Sequence, residues 1–158
     1  MLKCPGLKAA SASGALALAL AFAFAGVPTP VLATDIAWHS TTTLTYENGR
    51  NYRRDGTAVL KSGETAAFLG DGTAYAIDEK GMAPFKIQYM LRFEDGSTIT
   101  LRSSGTRHQF DGTTSGSGDF INGTGRFDGI TGSVRHTGQV SGSTAELDWA
   151  GSYTLPGK

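Results

Sequence analysis

Three histidines, His39, His108 and His136, are the only imidazoles in the chain. Imidazole titrates near neutrality and ligates metals, so these residues are the first to consider for acid–base or metal chemistry. A metal pair on one element needs close spacing such as H-x-x-x-H, and these three stand far apart. They read as unrelated surface or turn residues, unless the fold brings two of them to the mouth of a barrel. Glu94-Asp95 and Asp78-Glu79 lie in turn-like stretches, while Glu146 and Asp148 share the polar side of one alternating run. A general acid/base pair needs two environments that push its pKa values apart, which neighbours on a solvated face lack. No G-x-S-x-G elbow accompanies the many serines, so a hydrolase of that kind is not supported. Arg50, Arg53 and Arg54 form the one basic cluster, beside Tyr46 and Tyr52. Arginine can hold a carboxylate or an anionic lipid headgroup through two parallel hydrogen bonds. The adjacent Asn48-Gly49 favours the plainer reading, a solvated hairpin tip.

The chain that must position these groups has 158 residues, a length that fits one domain. Its 14 basic and 14 acidic side chains cancel. No nucleic-acid partner is expected, because that needs a clustered basic face. Residues 1–33 read as a cleavable signal peptide. Lys3 and Lys8 precede the apolar run 14–27, and Val31-Leu32-Ala33 offers an A-x-A-like cleavage site. The run is shorter than the ~20 residues of a membrane helix, and Pro28 and Pro30 follow it. The expectation is export, to the periplasm or beyond, with no membrane span after cleavage. The domain would then be 34–158, without its single cysteine, Cys4. That removes thiol catalysis, thiolate metal sites and disulfides.

Alternation with period two recurs through this domain, and no helical period does. Leu147, Trp149, Tyr153 and Leu155 share one parity, with Gly151 between them. Ile87, Tyr89, Leu91 and Phe93 alternate with Lys86, Gln88 and Arg92, and Ile99 and Leu101 with Thr98, Thr100 and Arg102. Asp95-Gly96 between the last two runs is a strong hairpin signal, because both residues tolerate positive φ. Further turn signals include Asn48-Gly49, Asp55-Gly56, Ser62-Gly63, Asp71-Gly72, Lys80-Gly81, Asp111-Gly112, Asn122-Gly123, Asp128-Gly129 and Ser141-Gly142. They divide the domain into eight or nine short strands, near 39–46, 57–61, 65–69, 73–78, 84–94, 97–105, 117–121, 132–138 and 145–155. Such spacing predicts an all-β sandwich or barrel. Closure removes exposed edges, which favours an antiparallel barrel of about eight strands. A barrel of that size is either filled by its side chains or holds one small ligand. Tyr75, Tyr89, Phe93, Trp149 and Tyr153 fall on parities expected to face inward, and they are the candidate ligand-binding residues.

The stretch Gly118–Gly132 (GDFINGTGRFDGITG) carries a family resemblance. It resembles the G-G-T-G-x-F-x-G-I-x-G segment of bacterial proteins related to the allene oxide cyclase and dirigent barrels. The Phe93–Ser97 hairpin and the Trp149–Leu155 strand look like further landmarks of those proteins, so the resemblance covers roughly 84–155. It implies an eight-stranded calycin-like barrel whose Gly-rich turn precedes a strand pair. On physical grounds Phe127 and Ile130 should plug one barrel end, and the glycines should serve tight turns. The loop lacks the Lys and the following helix of a phosphate-binding loop. Two functions compete: an exported barrel that binds a small hydrophobic or aromatic molecule, and the cofactor-free isomerase or cyclase that the resemblance implies. For the latter, Tyr89 and His108 are the candidate polar aids. A structural, envelope-associated barrel with a filled core is a third reading. No cofactor or metal is expected under any of them. Homo-oligomerisation is compatible with the family.

Overall fold

The computed structural model describes residues 32–157. The expected signal peptide and its cleavage site fall almost wholly outside that range. Eight strands follow one another: β1 (Thr34–Asn48), β2 (Asn51–Leu60), β3 (Thr65–Ala74), β4 (Met82–Phe93), β5 (Thr98–His108), β6 (Thr113–Thr124), β7 (Thr131–Ser141) and β8 (Thr144–Thr154). Each pairs antiparallel with the next, and β8 closes on β1 from Thr34↔Tyr153 to Thr43↔Thr144. The result is a closed up-and-down barrel, the architecture expected from the alternation. A single 3-10 turn, Gly125–Phe127, is the one helical segment among the described residues.

The turns obey local chemistry. Gly49 closes the β1–β2 hairpin at φ 56 and Gly96 the β4–β5 hairpin at φ 82. Only glycine adopts such angles without strain. Asp95 supports the second turn by accepting a hydrogen bond from the Ser97 amide at 2.9 Å. Strand alternation then decides what enters the interior. Phe85, Ile87, Tyr89, Leu91 and Phe93 are all buried on β4, as are Leu147 and Trp149 on β8. The outward face of β5 carries Thr98, Arg102, Ser104 and Thr106, with Thr100 on the same parity but covered. That polarity is opposite to the apolar outer band of a membrane-spanning barrel.

Three turn assignments are overturned. Asp55-Gly56 lies inside β2 and Asp71-Gly72 inside β3, so the expected strands 65–69 and 73–78 are one strand. Neither glycine turns the chain. Gly56 sits where a side chain would run into the Thr41–Thr42 backbone, and Gly72 where one would strike Tyr52 and Ile87. They are sites of close packing, the second role of a glycine in a strand. Likewise Asn122-Gly123 stays within β6, after a bulge that leaves Ile121 as the extra residue. β1 begins at Thr34 rather than near 39, which adds Ile36 and Trp38 to the core.

Candidate functional site

The waist of the barrel is filled by aromatic rings. Trp38 and Trp149 stack at 5.2 Å between centroids, and Phe68 and Tyr89 stack at 4.5 Å. The two stacks meet edge to face, with Tyr89 5.4 Å and Phe68 5.8 Å from Trp149. These geometries are the favoured ones for ring quadrupoles. Small residues make the room: a methyl group at Gly70 would lie 2.6 Å from the Tyr89 ring. The filled waist separates an open pocket at one end from a packed cluster of buried polar side chains at the other.

The open end is the one where β1 starts and β8 finishes. A pocket of about 900 Å3 lies there, with Ile36, Leu60, Phe127, Tyr153 and Leu155 on its apolar side and the charged Asp35, Lys61, Glu64 and Arg126 also lining it. Its floor is the plug expected from the glycine-rich turn. Phe127 and Ile130 are buried, and Phe127 packs 5.0 Å from Phe93. Arg126 lies over both rings, 4.7 Å from the Phe93 centroid and 4.8 Å from that of Phe127. It also pairs with Glu64 and reaches Asp95 at 3.6 Å. Its charge is thus held at the surface over an apolar wall, with carboxylates on its other side.

The polar cluster lies toward the end where β1 finishes and β2 starts. Polar and apolar side chains mix there: Ser40 and Thr42 on β1, Tyr52 and Arg54 on β2, Ser103 on β5 and His136 on β7 are all buried, beside Phe85 and Ile87 on β4, Val140 on β7 and Leu147 on β8. Arg54 was expected at a solvated hairpin tip. It points inward instead, because β2 runs straight through Asp55-Gly56 and sets Tyr52, Arg54 and Ala58 on the core parity. His136 was read as a surface residue and is also interior. Ser103 Oγ donates to the Ser117 carbonyl at 2.9 Å, so it must accept from His136 Nε2–H at 3.1 Å. His136 Nδ1 then carries a lone pair. Burial, with the nearby Arg54 charge adding to it, lowers the His136 pKa to about 4, so the ring is neutral at pH 7. Burial raises the Tyr52 and Tyr89 hydroxyls above the usual phenol range, and Arg54 works against that rise in both. Trp149 Nε1–H donates to Ser40 Oγ at 3.0 Å, which joins the waist to this cluster.

The candidate residues divide accordingly. Tyr89, Phe93 and Trp149 are buried, and Tyr153 lines the open pocket. Tyr75 does not face inward: it lies beyond the end of β3, 43% exposed. The strand expected over 73–78 ends at Ala74, and the inward parity of β3, set by Ala66, Phe68 and Gly70, would have turned Tyr75 outward in any case. His108 ends β5 on its outward parity, with Nδ1 3.0 Å from Asp111 Oδ1 and its ring edge-on to Phe110. Met82 is its partner across the β4–β5 ladder, seven residues from Tyr89 along β4, or ~23 Å at the usual rise. The structure therefore does not bring Tyr89 and His108 together. His39 is a third separate case, bonded to Asp148 at 2.8 Å on the outside. Ile36 and Leu60 were missed as site residues, and Arg54 and His136 were weighed and set aside as surface residues. Extending the Tyr52–Leu60 alternation through Gly56 would have found Leu60 and Arg54.

No family model matches this chain, and no curated protein does. Solved structures resemble it in fold. The pterocarpan synthase dirigent protein PsPTS1 superposes with a TM-score of 0.55 at 11% identity, over 78% of this chain and 95% of that one. The pterocarpan synthase dirigent protein GePTS1 gives 0.51 at 11% identity, over 78% and 90%. A β-barrel-like protein from Acinetobacter baumannii AYE gives 0.53 at 17% identity, over 80% and 99%. The chain has a dirigent-like β-barrel fold.

Proposed function

We propose that this protein is an exported barrel that binds a small hydrophobic or aromatic molecule at its open end. The pocket with Ile36, Leu60, Phe127, Tyr153 and Leu155 on its apolar side carries this reading. Its size falls in the range of small-molecule sites, about 300–1,000 Å3, and such sites combine apolar walls with few polar groups. Tyr153 brings a hydroxyl to that side, and Asp35, Lys61, Glu64 and Arg126 supply charge around it. The likeness to pterocarpan synthase dirigent proteins supports a barrel that receives aromatic compounds. The cofactor-free isomerase implied by the allene oxide cyclase resemblance would use the same pocket, and differs in converting what it binds.

Nile red, a neutral probe whose emission rises in apolar surroundings, tests the site. We expect saturable binding to the wild type and a loss of about tenfold or more in Leu155→Arg, which places a charge in the wall. Equal binding by that variant, or none by the wild type, overturns the reading. Native mass spectrometry of protein from its own host should show a bound organic molecule. Accumulation of product from an oxylipin or polyene would move the assignment to the isomerase.

A further inference from the structure

The polar cluster holds a charge for which the hydrophobic pocket has no use. Arg54 is 5% exposed, and its Nε and Nη1 groups have no acceptor among the described residues. The Thr42 hydroxyl, 2% exposed, has no partner either. Leu44 stands opposite Arg54 on the β1–β2 ladder, so Thr42, two residues along the same face, is its diagonal neighbour. On the other side, Arg54, Gly70 and Tyr89 form one row across β2, β3 and β4. Gly70 has no side chain, which leaves Arg54 facing Tyr89. The Arg54 guanidinium carbon lies 5.7 Å from the Tyr52 ring centroid. No buried side chain of the described interior is a carboxylate. A buried guanidinium is normally paired and hydrogen-bonded, because desolvating it alone is very unfavourable. Arg126 at the other end has two carboxylates within reach, and Arg54 has none.

We propose that Arg54 is the anchor of an anion site inside the barrel, taking a carboxylate through Nε–H and Nη1–H, with the Thr42 hydroxyl as a third donor. Two parallel N–H donors match the two oxygens of a carboxylate. The unpaired Nδ1 of His136 serves as a built-in reporter, since Arg54 already acts on that ring electrostatically. The carboxylate could be a free small acid or the acid group of a larger ligand. The site shares no residue with the open-end pocket, so each can fail alone.

Isothermal titration calorimetry of the full chain with acetate and with benzoate, at constant ionic strength, tests the site. We expect saturable binding that weakens at least tenfold in Arg54→Met and less in Arg54→Lys. Met keeps a long apolar stem and removes the charge. Val59→Thr, on the outer face of β2 and outside both sites, should leave the binding unchanged. Acetate binding as tightly as benzoate would identify a free small acid. Benzoate binding much more tightly would identify the acid group of a larger molecule. Should Arg54→Met fail to fold, the wild type still decides: the His136 Nδ1 nitrogen resonance must shift saturably with added acetate or benzoate. Absence of that shift, absence of saturable binding, or equal binding by folded Arg54→Met overturns the proposal, and Arg54 is then held by the ring and hydroxyl of Tyr52.

Discussion

The two ends of this barrel are built from the same strands and differ in how many polar groups they bury. Along β1 the inward residues run Ile36, Trp38, Ser40, Thr42, and along β5 they run Ile99, Leu101, Ser103. On β7 Val134 gives way to His136, and on β2 Leu60 and Ala58 give way to Arg54. β1, β2 and β5 therefore exchange apolar for polar groups near the ring stacks of Trp38, Trp149, Phe68 and Tyr89, while the inward faces of β4 (Phe85 to Phe93) and β8 (Ala145, Leu147, Trp149) stay apolar. The arginines make the contrast sharpest. Arg126 keeps 40% of its side chain exposed and spreads its stem over two rings, so water solvates its charge. Arg54 has been carried inside, where its hydration must be replaced by something else. A binary hydrophobic pattern describes the first end well. The second end is specified by polar groups at core positions, which is where functional or strained sites are expected to break local rules.

The waist that separates the two ends is the place to break this comparison hardest. Trp149→Ala removes a ring that touches Trp38, Phe68, Tyr89 and His136 and frees the Ser40 hydroxyl. Deleting a large buried aromatic costs about 3–5 kcal/mol, which denaturant titration would read as a lower midpoint. A loss under ~1 kcal/mol would mean the waist is loosely packed and does not separate the two ends.

The polar end should also respond to pH alone. The folded pKa of His136, about 4, lies below the unfolded value near 6.5. Between those values the unfolded chain binds the extra proton, so stability rises with pH across the window and is lost as pH falls from 6.5 toward 4. The full loss is on the order of 3 kcal/mol. Asp111 is separable: hydrogen bonds, chiefly from Thr113, hold its carboxyl at about 2, so its contribution is lost only below the normal carboxylate range. Chemical denaturation at a series of pH values should show the slope in the wild type, and His136→Gln should flatten it. An unchanged slope in that variant would place the titration elsewhere.

What could be read from the sequence divides along the same line. Hairpin chemistry and alternation over β4, β5 and β8 specify the barrel wall, and Phe127 and Ile130 declare the plug, because each of these signals is local. The polar cluster is not local. Arg54 becomes interior only if Gly56 is a strand residue, and that depends on Thr41 passing close behind it on another strand. His136 is alternating and polar, which alone reads as the wet face. Its burial follows from Gly116 opposite it, where a methyl group would lie 2.6 Å from Nε2. Tyr75 errs the other way: Ala66, Phe68 and Gly70 set the inward parity of β3, and Tyr75 falls on the opposite, outward one.

The smallest effect sharpens the contrast between the arginines. Arg126→Ala removes two ring contacts and the ion pairs with Glu64 and Asp95, all at a solvated rim. Exposed cation–π contacts and surface pairs are worth about 0.5–1 kcal/mol, and salt screens the ionic part. Arg126→Ala should therefore lower stability by roughly that amount at low ionic strength and by less in 1 M salt. Arg54→Met should behave differently: with no carboxylate partner to lose, it should be neutral or stabilising, as apolar replacements of buried charges often are. Denaturant midpoints of the two variants, taken in parallel at low and high salt, make the comparison. If Arg126→Ala proved the more damaging at both salt concentrations by several kcal/mol, Arg126 would be a structural pillar of the open end rather than a solvated cover on it.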